Sequence, residues 1–141
     1  MSRPLTVALL QLRAFDLAQH RQAWEDLLRR IDEAGSLDPH PELVVLPEAS
    51  YPAYFLHSRE AYDAAGVLPD EEVSGTLAER ARRHGFAIAA GLVQRGTSGG
   101  PAEGMLENAS LLFTPDGAVG GRTTKAFLWH FDSTWFAPGS R

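Results

Sequence analysis

Residues 43–48 read Leu43-Val44-Val45-Leu46-Pro47-Glu48: four consecutive aliphatic side chains, closed by a proline and followed at once by an acid. A run this short and this apolar has no wet face. It therefore reads as a strand buried on both sides, ended by Pro47, which cannot donate to a ladder. Glu48 then projects from the end of that strand, where ligands gather in α/β sheets. Upstream, residues 5–12 have the same two-sided apolar character. Between the two runs, Asp16 with Gln19 three residues on forms a capping signature. Leu17, His20, Trp24, Leu27, Leu28 and Ile31 then recur at helical spacing until Gly35. The opening reads β-α-β, with parallel pairing expected.

Downstream, Tyr51, Tyr54 and Phe55 cluster around Pro52, and Ser58 is placed to cap a short helix ending at Gly66. Asp70, Glu71 and Glu72 open a second long helix, and Arg80, Arg82 and Arg83 close it before Gly85, the order that the helix dipole favours. Residues 86–93 predict a third buried strand. After a Gly/Ser/Pro loop at 96–104, residues 105–113 and 117–124 predict a hairpin across Pro115-Asp116-Gly117, where proline presets φ and glycine accepts a positive one. The order β-α-β-α-β-β-β specifies an α/β layered sheet. Residues 126–141 are aromatic-rich with no closing helix or strand, and the part from Phe127 to Phe136 is expected to be loosely anchored.

The 141 residues, 44% of them hydrophobic, suffice for one core. Thirteen Lys+Arg against eighteen Asp+Glu give a net charge of −5, so the broad basic surface that nucleic acid requires is missing. With no cysteine, disulfides, thiolate metal sites and a thiol nucleophile from this chain are excluded. The five histidines lack metal-ligand spacing, and Gly99-Gly100 and Gly120-Gly121 lack a phosphate-binding pattern, so no metal or cofactor is expected. A G-x-S-x-G elbow for a serine nucleophile is absent too. No apolar stretch suits a signal peptide or a membrane span, and a cytoplasmic protein without a membrane partner is the expectation.

Three side chains stand out chemically. Glu48, at a strand end, suits general-base work, although a lone strand-end glutamate is more often simply solvated. Lys125 is the single lysine beside twelve arginines, and Ala126-Phe127-Leu128-Trp129 follows it. Its ammonium is either a fixed point charge for a developing oxyanion or a snorkelling surface cation. Asp132, set among aromatics, is either a cap for the next turn or a second active-site acid. Asn108 and Ser110 alternate along a predicted strand and face one side, where hydrogen bonding within the sheet is the expected role.

Leu46-Pro47-Glu48, Asn108-Ala109-Ser110, Pro115-Asp116-Gly117, Gly121-Arg122-Thr123-Thr124-Lys125 and Trp135-Phe136-Ala137-Pro138-Gly139 arrive in an order that resembles the nitrilase, or carbon-nitrogen hydrolase, superfamily. Each motif is weak alone, but together they cover nearly the whole chain. The resemblance implies an α-β-β-α sandwich, with residues 1–141 as its N-terminal half. It also implies a Glu-Lys-Cys mechanism that cleaves a non-peptide C–N bond in a small amide, carbamoyl compound or nitrile. By it, Glu48 is the general base and Lys125 stabilises the tetrahedral intermediate. Asp132 falls where many members carry a second glutamate, and Tyr51 and Tyr54 fall in the loop that lines the pocket or packs beneath it. Phe127 stands where a histidine is frequent. The family's cysteine lies beyond the position of Pro138-Gly139. The implied amidohydrolase is therefore a truncated domain that is inactive alone and needs a cysteine-bearing C-terminal half, from the same gene or a separate chain. A homo-oligomer is the expected assembly. The rival reading is a non-catalytic interaction or scaffold protein built on half of that fold.

Overall fold

Strand β2 (Leu43–Val45) is short because Pro47 stops it. It pairs in parallel with β1 (Val7–Leu9) on one side and with β3 (Ala87–Arg95) on the other. β4 (Leu106–Phe113) and β5 (Val119–Thr124) add antiparallel, giving a single five-stranded sheet in the order β1-β2-β3-β4-β5. The computed structural model describes residues 3–96 and 99–139. The first crossover is α1 (His20–Ala34), entered through a 3-10 turn (Leu17–Gln19), and the second carries α2 (Arg59–Ala64) and α3 (Asp70–His84).

The local signals act as the sequence predicts. The Asp16 carboxylate accepts from the Ala18 N–H at 3.2 Å, and the Gln19 side chain accepts from the Asp16 N–H at 3.4 Å. Ser58 Oγ accepts from the Ala61 N–H at 3.1 Å and starts α2. α3 begins on three acids, ends on Arg82, Arg83 and His84, and terminates at Gly85, whose φ of 72° is a left-handed cap. The β4–β5 turn closes with Gly117 at φ 84°.

α1 and α3 lie on one face of the sheet. Leu27, Ile31, Val73, Leu77 and Ala81 are buried against Val44, Ile88, Ala90, Leu111 and Phe113, each large side chain contributing about 1.5–3 kcal/mol. Both crossovers step the same way along the sheet, so right-handed connection puts both helices on the same side. Residues 5–12 and 43–46, apolar on both faces and suited to two-sided burial, are accordingly covered by these helices on one face only, and apolar side chains stay exposed on the other. Only three residues of the first run pair, and Val7 and Leu9 are 41% and 76% exposed while Ala8 packs on the core. Leu9, Val45, Ala89 and Leu112 form a row across four strands on this second face. The chain thus supplies one sheet and one helical layer of the α-β-β-α arrangement.

The expectation of a loosely held segment from Phe127 to Phe136 is also corrected in part. Phe127, Trp129 and Phe131 are exposed, but a 3-10 turn at Asp132–Thr134 leads into Trp135 and Phe136, both buried with Leu17, Leu56, Tyr62, Val93 and Leu106. The backbone seals the anchor: Ala137 N–H donates to Leu106 O at 2.8 Å, and Gly139 N–H donates to Lys125 O at 2.9 Å. Aromatic burial and these two bonds hold what composition alone left open. Among the described residues, no helix is long and apolar enough to cross a membrane.

Candidate active site

β2 and β3 are parallel, and two antiparallel steps bring β5 back to the same direction. The C-terminal ends of β2 and β5 therefore open on one edge of the sheet, and Glu48 and Lys125 lie just past them. At β2 the ladder is interrupted. Leu46 N–H donates to Ala89 O at 2.9 Å, and the next acceptor, Gly91 O, is taken by Ser50 at 2.8 Å, where a regular strand would offer residue 48. Two extra residues are thus looped out, with Ala49 in the left-handed region at φ 47°, and the bulge lifts Glu48 off the sheet. Ser50 Oγ donates to Pro47 O at 2.6 Å and ties the bulge shut.

Five side chains meet there. Lys125 Nζ lies 2.9 Å from Glu48 Oε1 and 2.8 Å from Asp132 Oδ2. Asn108 Nδ2 donates to the same Glu48 Oε1 at 2.6 Å, and Tyr54 OH donates to Asp132 Oδ1 at 2.7 Å. Asp132 has no exposed surface and also accepts from the Trp129 N–H at 2.9 Å, whereas the Glu48 side chain is half exposed. The Lys125 ammonium stands 5.9 Å from the centre of the Tyr54 ring.

The electrostatics follow from that crowding. Hydrogen bonds to Asp132 and then to Glu48 hold the Lys125 ammonium well above the usual lysine range, so it is a permanent cation. Burial pushes the Asp132 carboxyl up, but the bonds from Lys125, the Trp129 N–H and Tyr54 together outweigh it and hold the group below its ordinary value. Donation to Asp132, followed by burial, raises the Tyr54 phenol. A recess of about 390 Å³, lined by Leu46, Glu48, Gly91, Asn108, Ser110 and Lys125, opens beside the cluster on the face away from the helices.

Of the residues singled out from sequence, Glu48, Lys125, Asp132 and Tyr54 are brought together. Tyr51 is not. Its ring is buried in the main core, and its hydroxyl accepts from the Leu68 N–H at 2.9 Å and pairs with His20 Nδ1 at 3.3 Å. The pocket-lining expectation for Tyr51 is therefore corrected to the packing alternative. Asp132 accepts the N–H of Trp129, three residues before it, and also touches Lys125. The contact that sequence reasoning passed over is Asn108 to Glu48. Its signal was there, in two polar residues, Asn108 and Ser110, on one face of a largely apolar strand. Among the described residues, no group of three or more His, Cys, Asp or Glu side chains is arranged to hold a metal ion.

The family model described as carbon-nitrogen hydrolase matches residues 6–141. The crystal structure of a carbon-nitrogen hydrolase from Helicobacter pylori G27 is similar with a TM-score of 0.76 at 21% identity, covering 96% of this chain and 45% of that one. Saccharomyces cerevisiae Nit3, a member of the nitrilase superfamily, gives 0.77 at 23% identity, over 97% of this chain and 49% of its own. The amidase from Nesterenkonia sp. gives 0.61 at 22%, over 97% and 49%. This chain spans about half the length of these structures. No curated protein matches it in sequence.

Proposed function

This chain belongs to the carbon-nitrogen hydrolase family, and on that footing we propose that it supplies the base and cation of a hydrolase that cleaves a small amide-type C–N bond. The thiol comes from a cysteine-bearing segment outside these 141 residues. The observation that carries this reading is the Lys125 ammonium held between Glu48 and Asp132 at the edge of an open recess. Among the described residues, Glu48 Oε2 has no hydrogen-bond partner, and two of the three Lys125 protons are directed at carboxylates, which leaves one.

The reaction is an acyl transfer through a thioester. The thiol proton passes to Glu48, and the thiolate forms a C–S bond with the acyl carbon while the carbonyl π electrons move onto oxygen beside Lys125. Collapse re-forms the carbonyl and breaks the C–N bond, and Glu48 returns its proton to the leaving nitrogen. Water then attacks the thioester with Glu48 again as base, releasing the acid and restoring the thiol. Asp132 stays ionised and keeps Lys125 in place. Amide is favoured over nitrile because a solved structure of the same fold is named an amidase.

The absence of cysteine favours a second reading, a non-catalytic scaffold that pairs with another subunit. Both are tested by co-expressing the chain with a cysteine-bearing C-terminal half, from the same gene or a separate chain, and assaying small amides, carbamoyl compounds and nitriles. Hydrolysis that requires the partner cysteine is the expected result, and the chain alone is expected to turn over none of them. A stable complex without hydrolysis of any of these substrates would leave the scaffold reading standing and the enzyme reading refuted.

A further inference from the structure

We propose that Asn108 is a positioning residue that selects which oxygen of Glu48 handles the proton. The inference rests on the reading of Glu48 as base. Oε1 of Glu48 receives two donors, Asn108 Nδ2 at 2.6 Å and Lys125 Nζ at 2.9 Å, while Oε2 has no partner among the described residues. A carboxylate so held cannot flip its two oxygens without breaking both bonds, so the less encumbered Oε2 is the one presented to an incoming proton. An ionised carboxylate only accepts, and Asn108 must therefore turn its NH₂ towards it, which makes the amide orientation a consequence of the charge.

Asn108 is suited to this by its place in the ladder. It is 5% exposed and sits on the sheet face opposite α1 and α3, across from Val93 on β3. Its carbonyl accepts the Lys125 N–H at 2.8 Å. One residue thus fixes the start of the lysine through its main chain and the end of the glutamate through its side chain. A displacement of Asn108 would change the distance between the two groups. Its amide is also neutral. A second cation here would bind the carboxylate so firmly that it became a poorer base, whereas an amide holds the geometry without adding charge.

The test compares Asn108→Ala and the near-isosteric Asn108→Asp in the protein complemented with its cysteine-bearing segment, reading the pH profile of kcat/KM together with the crystal structure of each variant. In Asn108→Ala, loss of a donor to the charged carboxylate is expected to move the acid limb of the profile upward by about 0.5–1 unit, with kcat/KM near neutral pH down about tenfold. The Glu48 carboxylate is expected to turn away from its present orientation. In Asn108→Asp, two carboxylates in contact repel, so the acid limb is expected to move further in the same direction. An unmoved acid limb in a folded variant, with Glu48 still in its present orientation, overturns the proposal. Failure of the underlying functional reading looks different: Glu48→Gln would then retain full turnover, while the crystal structures still report whether Asn108 orients the carboxylate.

Discussion

Gly91 lies directly beneath Glu48: a Cβ at position 91 would stand 2.7 Å from the Glu48 Cα and 2.4 Å from the Pro47 carbonyl oxygen. Both neighbours are backbone, so neither can swing aside as a flexible side chain would. Gly91→Ala must push the bulge that carries Glu48 off β3, breaking the Ser50-to-Gly91 bond. A destabilisation of about 1–3 kcal/mol is expected from this overpacking, read as a lower denaturation midpoint. Turnover of the complemented protein should fall with it. Wild-type stability in Gly91→Ala would show that the bulge is not what places the carboxylate.

Charge removal at Lys125 should be more severe than its modest exposure suggests. Lys125→Ala deletes the cation that we propose faces the developing oxyanion, and leaves the buried Asp132 with neutral donors only. At least a hundredfold loss of turnover is expected in the complemented protein, with about 3 kcal/mol lost in stability. Lys125→Arg should not restore turnover, because a planar fork cannot occupy the point between two carboxylates that an ammonium fills. Full activity in Lys125→Arg would refute that geometric argument.

Asp132 predicts a pH dependence with a definite sign. Its folded carboxyl is held below the ordinary value of 3.8, so it contributes stability that is complete above about pH 3.8 and is lost as pH falls through the lower folded value. Asp132→Asn should therefore lose stability near neutral pH and show a shallower decline than the wild type between about pH 4 and pH 2. Parallel acid profiles, by circular dichroism or denaturant titration, would remove Asp132 from that account.

The row of Leu9, Val45, Ala89 and Leu112 on the face away from the helices makes a prediction about association. Leu9 is 76% and Leu112 is 38% exposed, flanked by Val7 at 41%. An apolar sheet face of this kind should drive the purified chain to self-associate as concentration rises. The double variant Leu9→Glu and Leu112→Glu should sediment closer to the monomer. Equal behaviour of the two proteins in sedimentation velocity would exclude this face as the cause.

Tyr51 and Tyr54 illustrate the limit of reading one dimension. Three residues apart in one loop, they looked equivalent. Yet Tyr51 ends in the core against His20 and Leu68, and Tyr54 ends on Asp132. The difference comes from the bulge at Pro47–Ala49 and from the return of residues 132–137 onto β4, neither of which is written in the spacing of the loop. Asn108 is similar: its side of the strand was legible, but its partner, sixty positions earlier, was not.

By itself the sequence determined what short-range chemistry can encode. That covers the cap at Asp16, the helix start at Ser58, the left-handed stops at Gly85 and Gly117, the strand ended by Pro47, the motif order that marks the family, and the lack of any thiol. These rest on interactions within a few residues or on composition, so they survive without knowledge of the fold. Tertiary structure alone decided that α1 and α3 share one face, and that Glu48 and Lys125, 77 positions apart, stand 2.9 Å from one another. Those outcomes depend on strand direction and register, which are fixed cooperatively by packing across the whole sheet.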